Sequence, residues 1–142
     1  MNSLNHIWLL LFFIGHPIVG NIQAQALKIN EVQYVNHYTL LDSQGDTPDW
    51  IEIINTGNSM INLKGYQLSD DPNMEDGWSL PDFELQPDSL MIVFASGKNE
   101  SSKGELHADF KLKLMEDPVF LLGPGGIAID SIKATCVPPD KS

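Results

Sequence analysis

The sequence DWIEIINTGNSMINLKGYQL, residues 49–68, decides the fold class of this chain. It opens with an aromatic and β-branched run, continues through polar turn formers at 55–58, and resumes an apolar pattern at Ile61 and Leu63. Such runs are typical of short β-strands, and Asn-Thr-Gly-Asn is typical of a tight turn. The stretch therefore predicts two short strands joined by a polar turn. It indicates a sheet scaffold and contains no catalytic motif.

The rest of the chain from residue 27 onward has the same character, with no sustained helical periodicity. The predicted strands are residues 27–35, 50–55, 61–68, 78–80, 90–96, 106–112, 119–122 and 127–132. About eight short strands separated by Asp, Gly and Pro turns favour an all-β sandwich of two packed sheets. The run LMIVFA at 90–95 is apolar on both faces, which predicts a position at the centre of a sheet with little solvent on either side.

The first 26 residues differ from the rest because they contain no Asp, Glu, Lys or Arg. An apolar run at 7–14 is followed by Gly15, Pro17 and the small-residue sequence Ala24-Gln25-Ala26. This is the layout of a secretory signal peptide cleaved between Ala26 and Leu27. The apolar run is shorter than the ~20 residues of a spanning helix, so we expect no membrane span after cleavage. We predict a secreted, periplasmic or cell-surface location.

Charge and cysteine content restrict the possible partners. The chain has 19 acidic and 8 basic residues, a formal net charge of −11, and every basic residue is lysine. Without arginine it lacks the planar bidentate donor that dominates recognition of phosphates and base edges, which argues against a nucleic-acid partner. The single cysteine, Cys136, allows no internal disulfide. It is either an intermolecular disulfide partner or a small buried hydrophobic residue.

Seven segments in order resemble one known family. They are INEV (29–32), DWIEIIN (49–55), INLKGYQLSDD (61–71), WSLP (78–81), LMIVFASGK (90–98), LHADFKL (106–112) and GIAIDSI (126–132). In order and spacing they are similar to the bacterial lamin-tail domain family over nearly the whole chain after residue 26. The resemblance implies an immunoglobulin-like β-sandwich of an exported protein. It also implies an interaction module without catalytic residues, often found beside hydrolase, nuclease, kinase-like or adhesion domains.

The resemblance stops short at the C-terminal end. Family members continue past the segment that matches 137–142 into a Gly-Arg turn, an Asp-Gly pair and a proline-rich close, whereas this sequence stops at Ser142. We therefore predict a signal peptide at 1–26, a lamin-tail-like domain at 27–136, and the start of a truncated segment at 137–142. The chain is interpreted as a fragment of a longer exported protein or as a natural truncation.

Two acidic loops are the only candidates for a metal site. Calcium prefers several carboxylate and carbonyl oxygens on a flexible loop. Neither loop has the spacing of a calcium-binding loop, and Asp is also a favoured turn residue, so we predict no metal and no cofactor. The weak candidates are Asp42, Asp46 and Asp49 in the first loop and Asp70, Asp71 and Asp76, with Glu75, in the second.

No other set of residues predicts catalysis. Glu31 and Glu52 lie in predicted strands without a second acid or an activated nucleophile nearby in sequence. His37 and His107 lack the spacing of a metal site. Ala95-Ser96-Gly97 lacks the frame of a nucleophile elbow, and the Gly-Pro-Gly-Gly turn at 123–126 lacks the features of a phosphate loop. The chain is predicted not to be an enzyme.

Aromatic side chains offer one possible binding surface. Exposed aromatic rings can form a platform for sugar or peptide, although packing between sheets is their commoner role. The candidates are Trp50, Trp78, Tyr66 and Phe83.

These observations predict a non-catalytic exported interaction or adhesion module. It would bind a protein or a cell-envelope polymer, or would space a neighbouring domain. One alternative is an accessory domain of a secreted enzyme whose catalytic part is missing from this sequence. A second alternative is calcium-dependent binding of carbohydrate or a surface through the acidic loops.

Overall fold

A computed structural model of the protein describes residues 26–75, 77–101, 104–113 and 118–133. These residues form nine β-strands and no helix. In chain order the strands are β1 (Leu27–Gln33), β2 (Trp50–Asn55), β3 (Ile61–Asn62), β4 (Gln67–Ser69), β5 (Trp78–Ser79), β6 (Glu84–Leu85), β7 (Leu90–Phe94), β8 (Val119–Gly123) and β9 (Ile127–Ile132).

The strands form two main sheets and one short pair. One sheet has the order β1-β2-β7 and the other the order β5-β4-β8-β9, while β3 pairs with β6. All of these pairings are antiparallel. The predicted all-β sandwich, of the kind seen in immunoglobulin-like domains, is confirmed.

Strand β2 shows why this sequence forms a sandwich. Side chains alternate between the two faces of a strand, and Ile51 and Ile53 point into the core, where both are fully buried. They belong to one hydrophobic cluster with Leu68 and Leu121 from the facing sheet. Burying a side chain of this size stabilises the fold by about 1.5–3 kcal/mol.

The outer face of the same sheet carries a second, smaller buried group. Trp50 lies opposite Gln33 on β1 and Phe94 on β7, and the ring of Phe94 stacks on His107 with centroids 5.2 Å apart. All four side chains are buried. The segment around Leu106 covers this end of β7, since the amide of Phe94 donates to the carbonyl of Leu106 at 2.8 Å.

The predicted strand at 61–68 is wrong as a single element. It is divided into β3 and β4 by a turn in which Gly65 has a φ of 86° and the amide of Tyr66 donates to the carbonyl of Leu63. Only glycine adopts such a φ readily, and the turn sends the two halves into different sheets. The polar turn after β2 likewise leads from one sheet to another and does not close a hairpin.

Two further predictions need correction. Strand β7 lies at the edge of its sheet with Leu90 about half exposed, and β2 occupies the centre. An apolar run does not distinguish a central strand from an edge strand whose outer face is covered. Residues 106–112 form isolated bridges to Phe94, Ser96 and Glu100 in place of the predicted strand, and β6 was not predicted.

Several predictions fall outside the described residues. These are the signal peptide up to residue 25, Asp76, Cys136 and the segment 137–142. The predicted domain boundaries stay predictions.

Candidate functional site

The connection between β1 and β2, residues 34–49, contains no strand, and it is the longest of the connections that the structure describes throughout; we call it the β1–β2 loop. Buried Asn36 holds its first half. The Nδ2 of Asn36 donates to the carbonyls of Leu40 at 2.6 Å and Pro48 at 2.8 Å, and its Oδ1 accepts from the amides of Thr39 and Leu40. One side chain thus joins both ends of the loop.

Asp42 holds the second half of the β1–β2 loop. Its Oδ1 accepts from the amides of Gln44 at 2.9 Å and Asp46 at 3.0 Å, and its Oδ2 pairs with Lys98 Nζ at 2.6 Å. Burial alone would raise the pKa of Asp42, but the bonds from Lys98 and the two amides outweigh burial and lower it below its usual value. The carboxylate is therefore a structural anion.

A second contact joins this loop to the segment that follows β7. Glu105 Oε2 accepts from the amide of Ser43 at 3.1 Å and lies 3.5 Å from His107 Nε2. Hydrogen bonds from Ser43 lower the pKa of Glu105, and the weaker interaction with His107 lowers it further. Lys98 and Glu105 thus fix the loop, although each lies more than 50 positions from its partner in the sequence.

The β1–β2 loop exposes two large side chains with apolar surface among polar neighbours. Tyr38 is 84% exposed and Leu41 is 56% exposed. An exposed tyrosine on a loop fixed by buried hydrogen bonds has the properties of an interface anchor, because little conformational entropy is lost on binding. The sequence around Tyr38 does not indicate this, since two of the residues that fix the loop, Lys98 and Glu105, come from elsewhere in the chain.

The acidic candidates in the first loop are only partly brought together. Asp42 and Asp46 share Lys98, whereas Asp49 accepts from the amide of Asn36 at 3.1 Å. Burial raises the pKa of Asp49, and the Asn36 bond and His37 offset this only in part. Asp46 and Asp49 border a cleft of about 350 Å³ that also contains Lys98 and Lys111.

The second acidic loop is organised by its own backbone. Asp71 Oδ1 accepts from the amide of Asn73 at 2.9 Å, and its Oδ2 accepts from the amide of Glu75 at 3.4 Å. Asp70 lies next to this turn, and Asp76 is outside the described residues. Across the described ranges, no three potential ligand side chains (His, Cys, Asp or Glu) are grouped so as to hold a metal ion. The metal candidates therefore stay predictions.

The four aromatic candidates do not share one exposed surface. Trp78 lies in the core, and its Nε1 donates to Asn99 Oδ1 at 3.1 Å. Trp50 is buried too, but on the face of β2 that points away from Ile51 and Ile53. Tyr66 is half-buried against the core, and Phe83 is about half exposed. Of the four rings, only those of Tyr66 and Phe83 keep exposed surface.

The glutamates and His107 lie in hydrogen-bonded positions that sequence spacing did not indicate. Glu52 accepts from Asn30 Nδ2 at 2.6 Å, and Glu31 is its cross-strand neighbour. His107 Nδ1 lies 3.0 Å from Ser96 Oγ, which also accepts from the amide of Lys98. Ser96 and His107 are both buried, and this network connects the end of β7 to the segment that covers it.

A groove of about 1040 Å³ lies at the other end of the sandwich, beside the β2–β3 loop, residues 56–60. Buried Asn55 fixes this loop. Its Nδ2 donates to the carbonyls of Ser59 at 2.8 Å and Leu85 at 3.0 Å, and its Oδ1 accepts from the amide of Gly57. The groove has a mixed lining: polar residues of the β2–β3 loop, the start of β1, and the larger side chains Met60, Ile61, Tyr66 and Ile129.

Comparisons with known proteins agree with this architecture. No described segment forms a helix of the length and apolarity needed to cross a membrane. A search of curated proteins finds no match. The model of the lamin tail domain, a family of immunoglobulin-like domains without catalytic function, matches residues 21–136. Because that match covers most of the sequence, the chain belongs to the lamin tail domain family.

Proposed function

We propose that this protein is an exported, non-catalytic interaction module that binds a protein or a cell-envelope polymer through the β1–β2 loop. The observation that carries the proposal is the combination of exposed Tyr38 and Leu41 with the hydrogen bonds by which the buried side chains of Asn36 and Asp42 fix the same loop. The uncharged, apolar N-terminal sequence supports export. Membership of a non-catalytic family supports the absence of enzymatic activity.

The charge of the chain limits which partners this surface fits. With a net charge of −11, the protein repels anionic surfaces and attracts cationic ones at low ionic strength. A partner with an apolar pocket for Tyr38 and a basic rim would match both features. We therefore expect association to slow as salt is added.

Binding of the exported full chain to isolated cell envelopes tests the proposal. Tyr38→Ala and Leu41→Ala should each weaken binding about tenfold or more while leaving the melting temperature unchanged, because both side chains are exposed. Ile127→Ala is the matched control, since Ile127 is 71% exposed and lies on β9.

A photo-cross-linking residue at position 38, compared with one at 127, then identifies the partner. Equal binding by all three variants and wild type would refute the assignment to this loop. The accessory-domain and calcium-dependent alternatives stay predictions.

A further inference from the structure

The two main sheets meet along one side of the sandwich, where β1 of the first sheet lies beside β9 of the second. Among the described strands, each of these two is at the edge of its sheet and pairs with one neighbour only. The outer side of an edge strand carries backbone N–H and C=O groups that can pair with a strand of another molecule. Sheets therefore need features that close such edges.

The carboxylate of Asp130 joins these two edge strands. Its Oδ2 accepts from the amide of Ile29 on β1 at 2.9 Å, and its Oδ1 accepts from the amide of Ser131 on β9, also at 2.9 Å. Hydrogen bonds to a carboxylate are stronger than those between neutral groups. An Ile29 amide that donates to β9 is not used by β2, so it is a group to which an added strand would bond. Asp130 already occupies it.

Both edge strands are irregular at this contact. The register of β1 against β2 shifts at Asn30, and the register of β9 against β8 shifts at Ile129. Asn30 follows Ile29 and Ile129 precedes Asp130, so each extra residue adjoins the hydrogen-bonded pair. A bulge bends its strand and redirects the neighbouring side chains. Bulges and inward-pointing charged residues are both features that keep an edge strand from pairing with another sheet.

The residues of β1 around this amide fit a second copy of the same strand. Two copies of an edge strand can pair antiparallel about a twofold axis, so that the same residues serve both partners. In a pair centred between Ile29 and Asn30, Lys28 of each copy lies opposite Glu31 of the other. Cross-strand pairs of opposite charge stabilise such pairing. The strand that β1 would accept most readily is therefore another β1.

We infer that Asp130 is an autoinhibitory contact, which occupies the Ile29 amide and thereby prevents β1 from pairing with β1 of a second copy of this chain. The bulges at Asn30 and Ile129 direct the carboxylate towards that amide. This role is independent of binding through the β1–β2 loop, because neither Asp130 nor Ile29 belongs to that loop.

Sedimentation of the exported full chain over a range of concentrations tests the inference. Asp130→Ala should form dimers at a concentration at least tenfold lower than wild type, because the Ile29 amide loses its acceptor. Asp109→Ala is the matched control, since it removes one negative charge at an exposed position and thus the same share of the repulsion between copies. A variant at position 130 that stays as monomeric as wild type, or a control that associates equally, overturns the inference.

Hydrogen exchange of the Ile29 amide identifies the surface that pairs. In dilute Asp130→Ala this amide should exchange at least tenfold faster than in wild type, and its protection should return as dimers form. Dimers that leave the Ile29 amide unprotected use another surface and contradict the inference.

Asp130→Asn replaces the alanine variant in both measurements if Asp130→Ala does not fold. Asparagine keeps the size of the side chain but has one acceptor oxygen in place of two, so the amide of Ile29 or that of Ser131 loses its partner. The expected shift towards dimers is then smaller. An asparagine variant that is as monomeric as wild type and exchanges both amides at the wild-type rate overturns the inference.

Discussion

The β1–β2 loop and the β2–β3 loop leave opposite ends of β2 and are held in different ways. The short β2–β3 loop depends on Asn55, a neutral side chain that bonds the carbonyls of Ser59 and Leu85. The long β1–β2 loop depends on Asn36 and also on charged groups, chiefly Asp42 with Lys98. The short loop is thus fixed by one neutral amide side chain, whereas the long loop also needs charged partners more than 50 positions away and a defined protonation state.

The largest effect should come from Asn55→Ala. The substitution leaves the buried carbonyl of Leu85, the carbonyl of Ser59 and the amide of Gly57 without this partner, and we expect a loss of about 3 kcal/mol in the free energy of unfolding. Urea denaturation measures it. Asn58→Ala, at an exposed position of the same loop, is the control and should change the free energy by less than about 0.5 kcal/mol. Similar values for the two variants would show that Asn55 does not hold the loop.

Lys98→Met should destabilise the protein less than Asn55→Ala. Asp42 loses its ammonium partner at 2.6 Å but keeps two backbone amides, and the lysine side chain is 27% exposed, so solvent weakens the pair. Lys111→Met, in the cleft beside the same loop, is the control for loss of a positive charge. The role assigned to Lys98 fails if both variants melt at the same temperature.

Two carboxylates of the long loop, those of Asp42 and Asp49, should respond to pH in opposite directions. The pKa of Asp42 is lowered on folding, so its stabilisation is complete above its unfolded value of 3.8 and is lost as the pH falls through the lower folded value. The pKa of Asp49 is raised, so its charged form opposes folding at neutral pH, and this cost disappears as the pH falls through the raised folded value towards 3.8.

Asp49→Asn tests this difference. The variant keeps an oxygen that can accept from the amide of Asn36, and it should be modestly more stable than wild type at pH 7. That advantage should shrink in melts between pH 7 and pH 4. Asp109→Asn, at an exposed position, is the control and should show no such trend. A constant difference across this range would contradict the raised pKa of Asp49.

The smallest effect is expected from calcium. The oxygens of Asp42 and Asp71 already accept from backbone amides, and Asp42 also pairs with Lys98, so binding of calcium would have to replace existing bonds. Millimolar calcium should leave the melting temperature unchanged, since only a ligand that binds the native state raises it. A rise that Asp42→Asn or Asp71→Asn abolishes would establish a site.

Most of the regular architecture could be predicted from local sequence. The alternation in β2 and the turn residues after it predict a sandwich, and the order of seven segments predicts the family that the comparison confirms. The wrong strand predictions concern features that depend on which strands pair, and the local sequence pattern does not contain that information. Gly65 divides a predicted strand, and the apolar run of β7 lies at a sheet edge that residues 105–108 partly cover.

The candidate site could not be predicted in the same way. Tyr38 and Leu41 look like ordinary loop residues in the sequence, and Asp42 looks like a solvated turn residue or a metal ligand. The bond between Asp42 and Lys98 spans 56 positions, and that between Ser43 and Glu105 spans 62. No periodicity relates such residues, because their distance is set by the pairing of β2 with β7 in one sheet.

The sequence by itself determined the all-β class, the turn chemistry, the acidic charge and the family of this protein. Each of these depends on side-chain type and on contacts between near neighbours in the chain. The tertiary structure alone decided which strand is central, how Lys98 and Glu105 fix the β1–β2 loop, and that Ala26 contacts Thr56 and Gly57. Those features depend on groups far apart in sequence that meet only when β1, β2 and β7 pair side by side in one sheet.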